Sequence, residues 1–140
     1  MAKDIYWTST KLLLHCDSLV DTSPTPKTIT ANGSAVTPYT ADSVYGGGCL
    51  NFDGVSYVTT PGHTDFNFGT GDFTVEFFIK VAQRGTDVVP LDYYMVGVSG
   101  WQFIVKAAGN VTIYEGNPNT TALTGVRFVA DNQWHHIALC

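Results

Sequence analysis

Residues Phe73-Thr74-Val75-Glu76-Phe77-Phe78-Ile79-Lys80 form an alternating string that suits an extended backbone and little else. Successive side chains on a strand point to opposite faces, so Phe73, Val75, Phe77 and Ile79 share one face while Thr74, Glu76, Phe78 and Lys80 share the other. A helix would scatter the four apolar residues around its circumference. The first face is core and the second is mixed. Such a strand cannot stand alone, because its apolar face needs a second layer roughly 10 Å away and its backbone groups need neighbouring strands.

The rest of the chain reads as those neighbours. Val88 to Val98, Trp101 to Ala107 and Asn110 to Glu115 form a meander, broken at Ser99-Gly100 and Ala108-Gly109-Asn110. Gly116 to Thr121 is a loop, Gly125-Val126-Arg127-Phe128 is extended, and Asp131-Asn132 turns the chain into Trp134 to Leu139. Upstream, Lys11 to Cys16 is a short apolar strand that leaves into Asp17 to Lys27, a stretch of Asp, Ser, Thr and Pro that no sheet interior accepts. Thr28-Ile29-Thr30-Ala31 alternates, Asn32-Gly33 signals a tight hairpin, and Ala35 to Tyr39 resumes extended structure. Gly46-Gly47-Gly48 frees the backbone before Cys49-Leu50-Asn51-Phe52. Asp53-Gly54 then makes a second tight turn into Ser56 to Thr60, the clearest hairpin in the chain. Pro61 to Gly71 is a polar loop with a helical turn near Thr64-Asp65-Phe66. With 140 residues and 44% hydrophobic content, the expectation is one all-β domain over 1–140, a two-sheet antiparallel sandwich with almost no helix, residues 1–10 serving as an N-terminal arm.

Composition excludes several classes of function. A net charge of -5 argues against nucleic acid, whose phosphates require clustered Lys and Arg. Met1-Ala2-Lys3-Asp4 carries charge where a secretory signal holds its apolar run, and Leu12-Leu13-Leu14 is too short to cross a bilayer, so neither an export signal nor a membrane span is expected. Cys16, Cys49 and Cys140 are odd in number and lack Cys-x-x-Cys spacing, which indicates neither a zinc site nor a disulfide framework. All three are expected to be reduced, although Cys16 and Cys49, each in an apolar strand context, can still face each other across two strands.

Three strings in a fixed order give the chain a family likeness: Asn51-Phe52-Asp53-Gly54, Gly71 through Phe78, and Gln133-Trp134-His135-His136-Ile137-Ala138-Leu139. Together they resemble the laminin-G-like, concanavalin A-like jellyroll domains. Tyr6-Trp7 followed by Leu12-Leu13-Leu14-His15-Cys16-Asp17 is similar to the opening strand of such domains in phage and bacterial surface proteins, and Gly69-Thr70-Gly71-Asp72-Phe73 falls in the same register. The likeness implies an antiparallel jellyroll. It also implies further strands after the Trp-His-His string, so a chain ending at Cys140 is expected to be incomplete, or to have the edge near Trp134 to Leu139 covered by other protein subunits.

This scaffold carries lectins, adhesion modules, glycosidases and structural domains alike. The superfamily's glycosidases need two carboxyl groups about 5 to 5.5 Å apart, which on a strand means acids at alternate positions. No such string exists: Glu76 has Thr74 and Phe78 as same-face neighbours, and Asp53 and Asp72 sit beside glycines as turn residues. The expectation is a protein that is not an enzyme. His135 and His136 point to opposite faces and cannot share one ion from regular β geometry. By the resemblance they belong to a packing motif, with Trp134 buried and one histidine bonded to the backbone.

Laminin-G-like domains often bind calcium through loop carboxylates, so Asp17, Asp21 and Asp53 are candidate ligands, the competing reading being that they cap turns. No other cofactor is expected. Sequons begin at Asn32, Asn110 and Asn119 and read as turn chemistry. Sugar binding would use exposed aromatics, and Tyr93, Tyr94 and Trp101 are the candidate residues, with Asp92 alongside. The functional expectation is a non-enzymatic structural or adhesion module of a virion (tail fibre, spike or capsid decoration) acting through protein contacts. The alternatives are a carbohydrate-binding module that recognises host glycans and a location on the bacterial cell surface.

Overall fold

The computed structural model describes residues 5–33, 37–40, 42–45, 47–93, 100–116 and 120–140. These gather into two compact units, Met1–Phe66 and Asn67–Cys140. Strands are the main regular structure of both, and the helical elements among the described residues are two single 3-10 turns, Trp7–Ser9 and Thr64–Phe66. The second lies where the sequence places it.

The first unit holds four short strands: β1 (Thr30–Asn32), β2 (Thr37–Tyr39), β3 (Cys49–Asn51) and β4 (Tyr57–Thr59). The strands match the sequence reading but their pairing does not. Asn32-Gly33 does not close a hairpin between β1 and β2, and Asp53-Gly54 does not close one between β3 and β4. Instead β1 pairs with β4 and β2 with β3, both antiparallel, so one ladder nests inside the other along the chain. Between the ladders the outgoing arm advances from Asn32 to Thr37 while the returning arm runs from Asn51 to Tyr57, one residue longer. Asp53-Gly54 occupies that extra length. The Asp53 carboxylate accepts the Val55 and Ser56 amides at 2.9 and 2.7 Å, and Gly54 takes φ 92°, which makes this a side-chain-capped turn inside an arm. Gly33, at φ 94°, is pressed against Ser56, where a Cβ would collide with the serine side chain. Turn-forming dipeptides thus mark breaks in long arms here, and local sequence does not distinguish a break from a hairpin tip.

The apolar run Lys11 to Cys16 is not a strand. It makes a single antiparallel bridge, Leu14 to Asp21. Two local features outcompete extension: the Asp21 carboxylate takes the Leu13 amide at 3.0 Å, and Cys16 turns into the left-handed region at φ 64°.

The second unit is a two-layer sandwich. One layer pairs β5 (Val75–Ala82) with β10 (Asp131–Leu139); the other is a meander of β6 (Val88–Tyr93), β7 (Trp101–Val105), β8 (Asn110–Glu115) and β9 (Thr120–Phe128) in sequential order. The alternation of β5 is realised: Val75, Phe77 and Ile79 are half-buried, while Glu76 and Phe78 are exposed. Val105, Val129 and Ala130 form the buried centre, with Ile79 and Val81 of β5, Val88 of β6, Val111 of β8 and Ile137 of β10 packed around it. Phe77 meets the fully buried Phe103 edge-on, ring centroids 5.5 Å apart, which joins the layers. Several boundaries differ from the sequence reading: β5 begins at Val75, not Phe73, and β7 ends at Val105, not Ala107. Strand β9 starts at Thr120, not Gly125, and Asp131-Asn132 belongs to β10 as a bulge with Asn132 at φ 61°. The reversal itself falls on buried Val129-Ala130, two residues before the turn that the sequence places at Asp131-Asn132.

Candidate binding groove

Strand β9 ends the four-stranded layer and β10 pairs only with β5, so each presents an open edge among the described residues. Between them runs a groove of about 710 Å³. Its apolar lining comes from Val111 and Ile113 of β8, Leu123 and Val126 of β9, and Trp134 and Ile137 of β10. Arg127, His135 and His136 supply its ionisable groups, and no carboxylate lines it among the described residues. Leu123 is about half exposed (54%) and Val126 entirely so, while Phe128 is 43% exposed. Apolar side chains on an edge strand are unusual where proteins avoid unwanted pairing, because edges are commonly blunted with lysine, proline or a bulge. The β10 edge near Trp134 to Leu139 was expected to be open; Leu123, Val126 and Arg127 were not foreseen, since only pairing reveals that β9 is an edge.

The Trp-His-His string differs in detail from its expected role. Trp134 is half-buried, not buried, and it opposes Lys80 across the ladder. The carboxylate of Asp131 holds the His135 ring at 2.7 Å and that of Glu76 holds His136 at 3.2 Å, where a backbone partner was expected for one of them. The Asp131 carboxyl is held below the usual carboxylate range, first by His135 and then by the Gln133 amide, with burial opposing both. His136 also stacks on its cross-strand partner Phe78 at 4.7 Å. Glu76 is therefore a strand-face partner of a histidine, with its side chain 64% exposed.

A family model described as the concanavalin A-like lectin/glucanases superfamily matches residues 52–140. The chain belongs to this superfamily. No curated protein and no solved structure matches the chain. The matched span takes in β4 and the whole sandwich with its groove, and membership fits a carbohydrate-binding or adhesion module.

In this laminin-G-like chain the three sugar-site candidates separate. Tyr94 lies outside the described residues. Tyr93 and Trp101 are cross-strand partners at the end of β6 and β7, ring centroids 5.9 Å apart, and both are half-buried. Trp101 also stacks on Phe68 at 5.2 Å and meets Phe103 edge-on at 5.9 Å, while Phe68 stacks on Phe73 at 4.2 Å. The indole is thus a member of an aromatic cluster within the sandwich, and Asp92 is the exposed polar neighbour.

The calcium candidates do not assemble. Asp21 is buried and its carboxylate accepts the amides of Leu13, Ser23 and Lys27 and the Ser23 hydroxyl, at 2.7 to 3.0 Å. Burial raises its pKa, but the three amides and the hydroxyl outweigh that and leave it lowered. Asp53 is likewise turned onto Val55 and Ser56, which hold its carboxyl low, and Asp17 is exposed and accepts the Ser18 hydroxyl at 3.2 Å. Calcium takes six to eight oxygens, and the carboxylates of Asp21 and Asp53 already serve backbone amides. Among the described residues no group of three or more His, Cys, Asp or Glu is placed to hold a metal. The residues do not fit the ion. No helix among the described residues is long and apolar enough to cross a membrane.

Proposed function

We propose that the chain is a non-catalytic structural or adhesion module of a virion, such as a tail fibre, spike or capsid decoration, that works by docking protein partners at the groove between β9 and β10. One observation carries the reading: two open strand edges flank an apolar cleft of about 710 Å³. An extended segment of a partner can add to such an edge through main-chain hydrogen bonds while alternate side chains enter the cleft. The virion setting draws support from the sequence likeness of residues 6–17 to the opening segment of phage and bacterial surface domains, although 11–16 form no strand here. The absence of alternating acids on β5 supports binding over glycoside hydrolysis, as does the engagement of Glu76 by His136.

The test is the solution behaviour of the purified chain. An open apolar edge predicts concentration-dependent association in size-exclusion chromatography with light scattering, suppressed by Val126→Lys or Leu123→Glu, either of which places charge on the β9 edge. A chain that stays monomeric at every accessible concentration refutes the groove as a docking site. The second reading is a carbohydrate-binding module that recognises host glycans, favoured by superfamily membership and by half-buried Tyr93 beside exposed Asp92. Saturable glycan-array binding that falls in Tyr93→Ala and is indifferent to Val126→Lys would select it.

A further inference from the structure

We propose that Cys16 and Cys49 form a redox-controlled disulfide that staples the N-terminal loop onto β3. Both are half-buried thiols in the first unit, Cys16 in the loop after Leu14 and Cys49 as the first residue of β3. The two stretches lie against each other. A Cβ on Gly48 would sit 3.4 Å from the Asp17 Cα and 3.7 Å from the Asp17 Cβ, and one on Gly47 would sit 3.6 Å from the same Asp17 Cβ. Any Cβ at 47 or 48 would thus lie in van der Waals contact with Asp17, and Gly48 holds φ 143°, a backbone conformation that favours glycine. Each cysteine is one residue from this contact, Cys16 before Asp17 and Cys49 after Gly48. The Cys49 thiol and the Leu50 backbone are both close enough to act on the Cys16 sulfur, in keeping with the contact of Asp17 with Gly47 and Gly48. Burial pushes the Cys16 thiol up, and Cys49 and Asp17 push it further. Cys16 also holds the left-handed φ of 64°, a conformation that non-glycine residues adopt where the surroundings impose it. In the reduced state each thiol rests on a nearby carbonyl, Cys49 on that of Asp42 at 3.0 Å and Cys16 on that of Leu14 at 3.7 Å.

The oxidant is a small-molecule disulfide such as oxidised glutathione. One cysteine, as thiolate, attacks a glutathione sulfur and expels a glutathione thiolate, leaving a mixed disulfide; the other then attacks the protein-side sulfur and expels the second glutathione. Two protein thiols lose two protons and two electrons, and one oxidised glutathione becomes two reduced ones. Made where thiols stay reduced and then released outside, the chain would acquire the bond after folding.

The experiment equilibrates the 140-residue chain with oxidised and reduced glutathione, alkylates the remaining thiols, and maps the digest by mass spectrometry without reduction. The expected result is a Cys16–Cys49 linked peptide in monomeric protein, with Cys140 alkylated. The closed loop spans some 33 residues between the two positions, and chain-entropy reasoning then gives a melting temperature higher by roughly 10 °C in oxidised protein. Cys140→Ser should retain the link and the shift, and Cys49→Ser should lose both. A digest of the Cys140→Ser protein showing only glutathione adducts, or fully alkylated Cys16 and Cys49 under oxidising poise, overturns the proposal without relying on a variant that might misfold.

Discussion

Replacing Asp21 with Asn separates a structural carboxylate from a metal ligand. The Oδ1 atom accepts the Leu13 amide at 3.0 Å and the Ser23 amide at 2.9 Å; the Oδ2 atom accepts the Lys27 amide at 2.7 Å and the Ser23 hydroxyl at 3.0 Å. Asparagine can keep its oxygen on the first pair, and the serine hydroxyl can rotate to accept from the new NH₂ group. The Lys27 amide has no such escape, because a donor now faces a donor. A buried amide left unmet costs about 1–3 kcal/mol, and the two retained bonds lose the strength that a charged acceptor lends them, so the total is about 3 kcal/mol. At a urea slope of roughly 1.5 kcal/mol/M that is a midpoint lower by about 2 M. Amide hydrogen exchange read by NMR should show the loss locally, with faster exchange at Leu13, Ser23 and Lys27.

The sign of the pH dependence follows from the lowered folded-state pKa of Asp21. The stability its ionised form contributes is present in full above the unfolded value of about 3.9 and is lost as pH falls through the folded one. Protonated Asp21 resembles Asn, so the gap between wild type and Asp21→Asn should narrow in acid and stay constant from about pH 5 upward. Calcium and EDTA should leave both midpoints unchanged. An Asp21→Asn protein as stable as wild type, or one whose deficit appears only when calcium is added, refutes the reasoning.

Two further outcomes concern the sandwich. Gly109, at φ 88°, has the Phe128 ring where its Cβ would be, so Gly109→Ala should cost about 2–3 kcal/mol in urea unfolding, whereas Gly85→Ala, at φ 69° with open space around it, should cost only the backbone strain of about 1 kcal/mol; equal losses would count against a ring seated on Gly109. Trp101→Ala should destabilise by about 3–5 kcal/mol, because it empties the centre of the Phe68, Tyr93 and Phe103 cluster, and a thermal melt showing no change would return Trp101 to the list of free sugar platforms.

What the residues disclose depends on whether the information is local. The faces of β5 were legible because alternation is a property of the string itself, and the helical turn at Thr64–Phe66 lies where the polar loop allows one. The meander was legible for the same reason, its strands being marked off by glycine. Pairing was not. Asn32-Gly33 and Asp53-Gly54 carry ordinary hairpin chemistry, yet each interrupts an arm of nested ladders, and which partner a strand takes depends on residues ten or more positions away. The failure of Lys11 to Cys16 as a strand has the same origin, since the carboxylate that diverts its backbone, Asp21, belongs to the polar stretch read as a loop.

The groove is the extreme case of non-local information. Alternation says which face of a strand is apolar and is silent on whether its edge is paired, so the exposure of Leu123, Val126 and Phe128 could be read only once β9 was seen at the end of its layer. The Glu76 carboxylate of β5 holds His136 of β10 across the ladder, where the ring also stacks on Phe78, while Asp131 holds His135 within β10 itself. That arrangement stiffens β10 against β5 while leaving its other edge open. A strand fixed on one side and open on the other is preorganised for an added strand, because little further ordering of β10 is required when a partner arrives. On this argument Glu76→Gln, which weakens the anchor and leaves the apolar lining of the groove in place, should reduce association of the chain less than Val126→Lys does. The reverse order in light scattering would mean that the outer face of β5 and β10, and not the cleft, carries the contact.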